Sequence, residues 1–388
     1  MGSERQEGVL LIPGLPDEVA MDCLARVPYR FHCGLRSVCR GWRDLLGSPL
    51  FYSQRRKTGK GEALVCLVQA LVPSSSAEEE EEGGAEKAGE KKKNAARAPP
   101  CYGLSIYNST LGEWHRLSFP PASGLAVPLF AQCAAVQASG KIVLMGGWDP
   151  TSFDSVSDVY VIDLVTGRGR RGAPMTPARS FFACAVVGPL VYVAGGHDNQ
   201  KNALRTAAVY DTAADEWRPL PPMADERDEC QGVALAGEFW VVSGYGTDSQ
   251  GRFDPAVECY DPAAGRWRKE EGLWTAGDGL GGAVVPPRSS CFVLEKLCHL
   301  YCNEDRREMR EYEETERKWK VVGETPATLR SIPCVASVTG GGRLLAVGSD
   351  GEHRHSAWLM EGASRKWTQV DTPAGFAGFA YSASSILI

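Results

Sequence analysis

The sequence lacks the features that mark several common functional classes. No apolar run approaches the ~18 residues of a membrane-spanning helix, and the start, MGSERQEGVL, has no signal-peptide core. Basic residues are not in excess, since the formal net charge is -6 at pH 7. Binding to nucleic acid or to a membrane surface requires a basic footprint. We therefore expect no nucleic-acid partner and no membrane partner.

The 13 cysteines are an odd number and form no CxxC pair. Five of them recur about once per repeat unit, in the first predicted strand of each unit: Cys133, Cys184, Cys230, Cys291 and Cys334. Cysteines that are spread over separate units lie too far apart to form disulfides. We interpret them as small buried hydrophobic residues in a reducing compartment.

The few histidines form no complete metal site. His353 and His355 lie on a predicted loop, but two imidazoles fall short of the three or four ligands of a zinc site. In a strand, Cys298 and Cys302 share a face while His299 points away from it. No P-loop, dinucleotide fingerprint or Ser/His/Asp order accompanies them. We therefore predict no catalytic residue, no metal and no cofactor.

What the sequence does contain is an aromatic pair at one fixed spacing. It recurs as Tyr107/Trp114, Tyr210/Trp217, Tyr260/Trp267 and Tyr312/Trp319, with Met360/Trp367 as a fifth copy and Ile162/Gly169 as a degenerate one. Successive Trp positions from 217 onwards fall about 50 residues apart, the period of kelch-type propeller blades. The pattern predicts that most of the chain is a radial repeat of β-sheets.

Residues 179–222 show one repeat unit most clearly. Four short runs rich in β-branched and aromatic residues are separated by Gly, Pro, Asp and Asn, which is typical of four antiparallel strands. Five such units and one split unit predict a mainly β fold, a six-bladed kelch-type β-propeller over 63–388. Closing the first blade with the C-terminal segment 376–388 removes open sheet edges.

Two segments depart from the repeat. Residues 73–100 contain a run of Glu followed by Lys91, Lys92 and Lys93, and their low apolar content predicts a disordered acidic and basic insert. Residues 10–52 instead show helical spacing, with an apolar stripe from Val19 to Val27. We predict a three-helix module there and a linker at 53–62. This module is too small to bury its apolar surface alone, so it packs on the propeller or docks a partner.

The helical module carries a series of residues at defined spacing: Leu15-Pro16, the stripe to Val27-Pro28, then Leu35, Val38-Cys39, Trp42, Leu45-Leu46, Pro49 and Phe51. This series resembles an F-box, which binds the Skp adaptor of SCF ubiquitin ligases. With kelch repeats downstream, the whole chain resembles the plant F-box/kelch-repeat proteins. Stretches at 178–186, 193–204 and 223–233 resemble one subgroup, associated with degradation of phenylalanine ammonia-lyase and of cytokinin response regulators. The resemblance implies that most adaptor contact comes from Leu15, Pro16, Val19, Leu24, Val38, Cys39, Trp42 and Leu46. Some of these residues, about half, must instead hold the three helices together.

The predicted substrate-binding positions lie at one end of the propeller channel. A basic residue precedes the first strand of four blades, and three further residues follow the glycine pairs: Arg179, Arg227, Arg288, Arg330, Trp148, His197 and Tyr245. Arginine and aromatic residues in a concave mouth favour binding of a peptide or acidic loop. The alternative is that each Arg pairs with an acid of a neighbouring blade, such as Asp228 or Glu229, and locks the ring.

The resemblance therefore implies a non-catalytic substrate receptor. The F-box binds the Skp-type adaptor, and through it the cullin core, while the propeller holds a target protein for ubiquitination. The expected targets are phenylalanine ammonia-lyase or type-B cytokinin response regulators, and the expected location is cytoplasm, nucleus or both. The alternative function is a kelch scaffold that binds proteins without any role in ubiquitin transfer.

Overall fold

The computed structural model describes residues 11–72, 101–117, 126–274, 290–302, 306–329, 334–349 and 355–388. The predicted insert at 73–100 and two of the predicted substrate-binding residues, Arg288 and Arg330, lie outside these ranges. Within the described ranges, none of the helices has the length and apolar character needed to span a bilayer.

Four short helices precede the propeller: α1 (Asp17–Ala25), α2 (His32–Leu35), α3 (Arg40–Leu46) and α4 (Pro49–Lys57). A 3-10 turn at Tyr29–Phe31 leads into α2. Ser48 caps α4 by accepting a hydrogen bond from the Leu50 N–H. Pro49 occupies the first helical position, where a backbone N–H would have no partner within the helix, so the missing N–H of proline costs no hydrogen bond. The prediction of three helices missed α4, which fills the first half of the segment predicted as a linker.

Six four-stranded antiparallel sheets follow, as predicted. Blade 1 contains β1 (Ala63–Ala70), β2 (Tyr102–Asn108), β3 (Glu113–Leu117) and the C-terminal β24 (Ala380–Leu387). Blade 2 contains β4 (Gln132–Val136), β5 (Lys141–Met145), β6 (Val159–Asp163) and β7 (Arg168–Arg171). Blade 3 contains β8 (Ala183–Val187), β9 (Leu190–Ala194), β10 (Ala207–Asp211) and β11 (Glu216–Leu220).

The remaining blades repeat the same order of strands. Blade 4 contains β12 (Gln231–Leu235), β13 (Glu238–Val242), β14 (Val257–Asp261) and β15 (Arg266–Glu270). Blade 5 contains β16 (Cys291–Val293), β17 (Leu297–Cys302), β18 (Arg307–Glu313) and β19 (Lys318–Glu324). Blade 6 contains β20 (Cys334–Val338), β21 (Arg343–Ser349), β22 (His355–Glu361) and β23 (Lys366–Val370).

The ring closes within blade 1, because β24 pairs with β1 from Ala63↔Leu387 to Gln69↔Ala380. The innermost strand of this blade therefore comes from the C-terminus, while the other three come from the start of the propeller. The sequence predicted this closure. Blade 1 thereby joins the C-terminal strand of the propeller to the strands at its start, and it holds the two ends of the ring together.

The aromatic repeat places a cross-strand pair in each blade. Tyr107 faces Trp114, and the other copies hold the same register between the third and fourth strands, down to Ile162 opposite Gly169. Each of the five indoles also donates to a backbone carbonyl of the preceding blade, as Trp217 does to Ala173 at 2.9 Å. Trp114 donates to Asp371, next to the outer strand of blade 6, at 3.0 Å. The indoles thus link five of the six blade junctions, and blade 2, with Gly169 at the Trp position, has no such link to blade 1. The repeat is therefore a lock between neighbouring blades.

The two ends of the propeller differ in their connections. Tight turns between first and second strands, and between third and fourth strands, lie at one end, which we call the turn end. The loops between second and third strands, and the connections between blades, lie at the other, which we call the loop end. The helices join β1 at the turn end, whereas β1 ends and β2 begins at the loop end.

Candidate functional site

The helical module packs on the turn end through a shared apolar core. Leu24, Leu46 and Phe51 belong to one cluster with Ile106 of β2 and Ile386 of β24. Two polar contacts reach blade 2: the Tyr29 hydroxyl donates to the Leu164 carbonyl at 3.1 Å, and Arg36 donates to the Val165 carbonyl. Module and propeller therefore share one hydrophobic core along this contact.

A buried carboxylate, Glu62, joins the module to blade 1. One oxygen accepts hydrogen bonds from the Arg55 guanidinium at 2.5 Å and from the Tyr29 N–H at 2.8 Å, and the other accepts from the Asn108 amide. Glu62 also exchanges both backbone hydrogen bonds with Ile388, the last residue. Arg55 and Glu62 are almost fully buried, so their charges depend on each other for stabilisation.

The structure divides the eight predicted adaptor-binding residues into three groups. Pro16, Val19, Val38 and Cys39 are exposed. Leu15 and Trp42 are half-buried, and the Trp42 indole donates to the Leu11 carbonyl at 2.6 Å. For the remaining two, Leu24 and Leu46, the prediction of adaptor contact is wrong. They are 2% and 0% exposed in the core shared with the propeller, so they stabilise the junction and offer no surface to a partner.

Sequence reasoning missed two exposed apolar residues of the module. Phe31 is 48% exposed and Leu50 is 80% exposed, compared with 61% for Val38. The signal for Leu50 was α4 itself: Phe51, Tyr52 and Arg55 take the buried side of this helix, so the preceding apolar residue faces solvent. Four of the ten exposed large apolar side chains among the described residues lie in this short module.

At the propeller, the structure corrects the role of two predicted arginines. Arg179 is fully buried and donates to the carbonyls of Gly195 and Thr206, both at 2.9 Å. Arg227 is also fully buried and pairs with the carboxylate of Glu258 in β14 at 3.1 Å. Both guanidiniums hold the loops of their own blades and do not reach the channel mouth. The alternative, in which each Arg pairs with an acid of a neighbouring blade and locks the ring, does not hold for these two residues either. Arg179 binds the backbone and the hydroxyl of its own blade, and the nearest acids of Arg227, Glu258 and Asp254, also belong to its own blade.

The other predicted loop-end residues do lie together. Trp148, His197 and Tyr245 occupy equivalent positions in blades 2, 3 and 4, where each bridges to a residue that precedes the first strand of its blade. The Trp148 indole donates to His197 Nε2 at 3.3 Å. His197 Nδ1 lies 2.9 Å from the carboxylate of Asp228, which itself bridges to Tyr245.

Aromatic rings surround Trp148 at the loop end. Phe130 and Phe181 both meet its indole edge to face, with centroids 5.4 Å and 5.1 Å away, and Phe153 meets it at 6.4 Å. All three phenylalanines adopt left-handed backbone conformations, with φ of 59° for Phe130, 54° for Phe181 and 58° for Phe153. Such conformations are unfavourable for bulky residues and concentrate at functional sites.

Lys201, which sequence reasoning also missed, completes this arrangement. Its ammonium lies 4.0 Å from the centroid of the Trp148 ring and 3.3 Å from His197 Nε2. Partial burial lowers the pKa of Lys201. We call Phe130, Trp148, Phe153, Phe181, His197, Lys201 and Asp228 the loop-end cluster. No motif marks Lys201, because its contact with Trp148 joins two blades.

Below the cluster, the first strands line a channel. Cys133, Cys184, Cys230 and Cys334 surround a cavity of 80 Å³ at its loop end. Burial raises the pKa of the Cys230 thiol to about 11 and that of Cys334 to about 12, so these thiols are protonated and unreactive at neutral pH. In the part of the chain that the structure describes, no group of three or more His, Cys, Asp or Glu residues is arranged to hold a metal ion.

Comparison with known proteins gives matches over both parts of the chain. The F-box domain model matches residues 12–54, and the Kelch motif model matches residues 178–224. The chain is 42% identical over 423 residues to F-box/kelch-repeat protein SKIP20 of Arabidopsis thaliana, covering 100% of this chain and 99% of that protein. It is 33% identical over 375 residues to F-box/kelch-repeat protein At1g80440 of the same plant, covering 94% and 97%.

Proposed function

The chain belongs to the plant F-box/kelch-repeat proteins, and from this premise we propose that it is the substrate-recognition subunit of an SCF-type ubiquitin ligase. The helical module binds the Skp-type adaptor, which links it to the cullin core. The propeller holds a target protein, and proximity raises the effective concentration of the target's lysines near the ubiquitin-loaded enzyme. The chain itself carries out no bond chemistry in this proposal.

The observation that best supports the proposal is that several apolar residues of the helical module are exposed, although its other apolar residues are buried in the core. Four apolar side chains of the module remain exposed to solvent: Val19, Phe31, Val38 and Leu50. Other apolar residues of the same module, Leu24, Leu46 and Phe51, are buried. Exposed apolar side chains that concentrate in one small region mark a protein-binding surface. A binding surface at the turn end also leaves the loop end accessible to a second partner.

The identity of the target is a finer part of the proposal. The resemblance supports two candidates, phenylalanine ammonia-lyase and type-B cytokinin response regulators, and we propose action in the cytoplasm, the nucleus or both. Binding of each purified candidate to the full chain decides between them. Loss of that binding in Trp148→Ala, with adaptor binding kept, would support the loop end as the substrate site.

The adaptor-binding proposal is tested with the purified full chain and a recombinant plant Skp-type adaptor. We expect one-to-one binding by isothermal titration calorimetry, weakened at least tenfold by Val38→Asp and by Leu50→Asp. The matched control is Val321→Asp, which places the same charge on a similarly exposed valine of β19 and is expected to bind normally.

An unmodified chain that fails to bind the adaptor would overturn the ligase proposal. That outcome would favour a kelch scaffold that binds partner proteins without ubiquitin transfer. Adaptor binding that persists in both module variants would overturn the assignment of the exposed apolar residues.

A further inference from the structure

Lys201 makes contacts that resemble those of a ligand more than those of a structural residue. It is an exposed residue at the tip of the loop between β9 and β10, in a left-handed conformation with φ of 62°. From there its side chain folds back over Trp148 of the neighbouring blade. A lysine that is simply solvated at a loop tip does not need this conformation. The contacts of Lys201 therefore indicate which chemical group the surface around Trp148 binds.

That surface is built to receive a cation. A tryptophan ring presents the negative face of its quadrupole to an ammonium. His197 presents a lone pair, because both groups that approach Nε2, the Trp148 indole N–H and the Lys201 ammonium, can only donate. The proton of the ring therefore lies on Nδ1, where the Asp228 carboxylate accepts it.

The surrounding charges are negative on balance. The loops between second and third strands in blades 2, 3 and 4 carry six aspartates: Asp149, Asp154, Asp158, Asp198, Asp248 and Asp254. The same loops carry only three cations: Lys201, Arg205 and Arg252. Arg179 and Arg227, which suggested an acidic partner, are fully buried and offer no charge to a partner.

We propose that the loop end is a recognition site for a lysine or arginine side chain of the protein substrate, and that Lys201 occupies this site as an internal stand-in when no substrate is bound. The site consists of the Trp148 face, the His197 Nε2 acceptor and the exposed edge of Phe153. An acidic side chain would meet the negative face of the indole and the imidazole lone pair, so it is disfavoured. This inference rests on the proposed function, because it names the class of partner that the receptor selects.

The occupied site gives the loop end a built-in competitor. Binding of a basic side chain requires the Lys201 ammonium to leave Trp148, which its position at an exposed loop tip permits. Removing the Lys201 side chain should therefore strengthen the binding of a basic partner. The loss of one positive charge would by itself also strengthen that binding, so a control for charge is needed. Arg252 supplies the matched comparison, since it is another exposed cation of the loop end.

The test uses the full chain and fluorescein-labelled peptides in which Lys alternates with Gly and Ser, measured by fluorescence anisotropy. We expect Lys201→Ala to raise affinity at least three times more than Arg252→Ala does, and Trp148→Ala to lower it at least tenfold. Peptides with acetylated Lys, or with Glu in place of Lys, should not bind. Trp148→Phe, which keeps a ring, should show an intermediate loss and guards against a folding defect.

Equal effects of Lys201→Ala and Arg252→Ala would overturn the stand-in and leave only general charge attraction. Binding of the Glu peptide in preference to the Lys peptide would overturn the cation site. Adaptor binding is measured on the same preparations. A chain that binds the Lys peptide as expected but not the adaptor refutes the ligase proposal alone, whereas the reverse result refutes the cation site alone.

Discussion

The turn end and the loop end of the propeller each contain a buried carboxylate beside basic groups. At the turn end, Glu62 is paired with Arg55, and both side chains are inside the core. At the loop end, Asp228 is paired with His197, whose other nitrogen meets the exposed Lys201. The Arg55–Glu62 pair lies entirely in the core, whereas the Asp228–His197 pair connects the interior to an exposed side chain. This difference indicates that the turn end fixes the helical module and the loop end receives a partner.

Backbone conformation supports the same distinction. Among the described residues, ten non-glycine residues have positive φ. Four lie in tight turns at the turn end, where the hairpin itself requires this conformation: Asp215, Ala236, Arg317 and Arg365. Six lie at the loop end: Phe130, Phe153, Phe181, Lys201, Glu229 and Ser243. Five of these six loop-end residues carry an aromatic or charged side chain, and strained conformations of this kind concentrate at binding sites.

The largest expected effect breaks the closed pair at the turn end. Glu62→Gln removes the carboxylate and leaves the Arg55 guanidinium buried without its counterion, which costs about 3–5 kcal/mol. Urea unfolding measures this loss. The matched control is Arg30→Ala, since Arg30 pairs with Glu113 at 2.7 Å but in solvent, and should cost less than about 1 kcal/mol. Similar losses in both variants would contradict the role of Glu62 at the junction.

A second prediction separates the apolar residues of α1. Leu24→Ala opens a cavity in the core shared with the propeller and should lower the free energy of unfolding by about 2–5 kcal/mol. Val19→Ala, on the exposed side of the same helix, should change it by no more than about 0.5 kcal/mol. Urea unfolding of both variants decides the matter. Equal effects would mean that α1 does not divide into a buried and an exposed face.

The third prediction concerns acid. Burial lowers the pKa of His32 from 6.5 to about 4, and the neutral ring bridges the Tyr52 hydroxyl and the Val27 carbonyl. Because His32 binds a proton more readily in the unfolded chain, its contribution to the free energy of unfolding is fully present above about pH 6.5. It declines as the pH falls towards 4, by about 3 kcal/mol in total. The expected observation is a fall in the urea midpoint across this range.

The control for this effect is His32→Gln, which offers a similar donor and acceptor but does not titrate. Its stability should depend less steeply on pH between 6.5 and 4 than that of the unmodified chain. His299, whose pKa burial lowers to about 3, is present in both proteins and cancels in the comparison. Identical pH profiles would show that His32 is not the group that titrates.

The smallest expected effect on stability belongs to the loop end. Lys201→Ala removes an exposed side chain and one cation–π contact, so the free energy of unfolding should change by less than about 1 kcal/mol. Thermal melting checks this expectation. A loss of several kcal/mol would mean that Lys201 is a structural residue, and the contrast between the two ends would disappear.

Repetition explains how much of the fold was predictable. Cross-strand pairs such as Tyr210 and Trp217 hold one register in every blade, so their spacing in the sequence predicted the repeated blades. The closure by β24 was predicted separately, because the first blade lacked an innermost strand that the C-terminal segment could supply. Burial was harder to predict. The apolar spacing of Leu24 and Leu46 is the same whether the module packs on a propeller or on an adaptor. Only the structure shows that these two residues belong to the shared core.

The candidate site was predicted only in part, for a related reason. Trp148 and His197 follow glycine pairs and could be aligned between blades, so their position was predictable. Lys201 contacts Trp148 across two blades, and no local pattern records that contact. Arg227 stands beside acidic residues in the sequence, which suggested an ion pair between neighbouring blades, but its partner Glu258 lies in a later strand of the same blade.

Co-purification of the full chain from plant cells with the proteasome blocked, followed by mass spectrometry, tests most directly whether the two ends bind different proteins. We predict that Val38→Asp loses the Skp-type adaptor and keeps the target, while Trp148→Ala loses the target and keeps the adaptor. Loss of both partners in each variant, with both variants folded, would contradict the separation of the two ends.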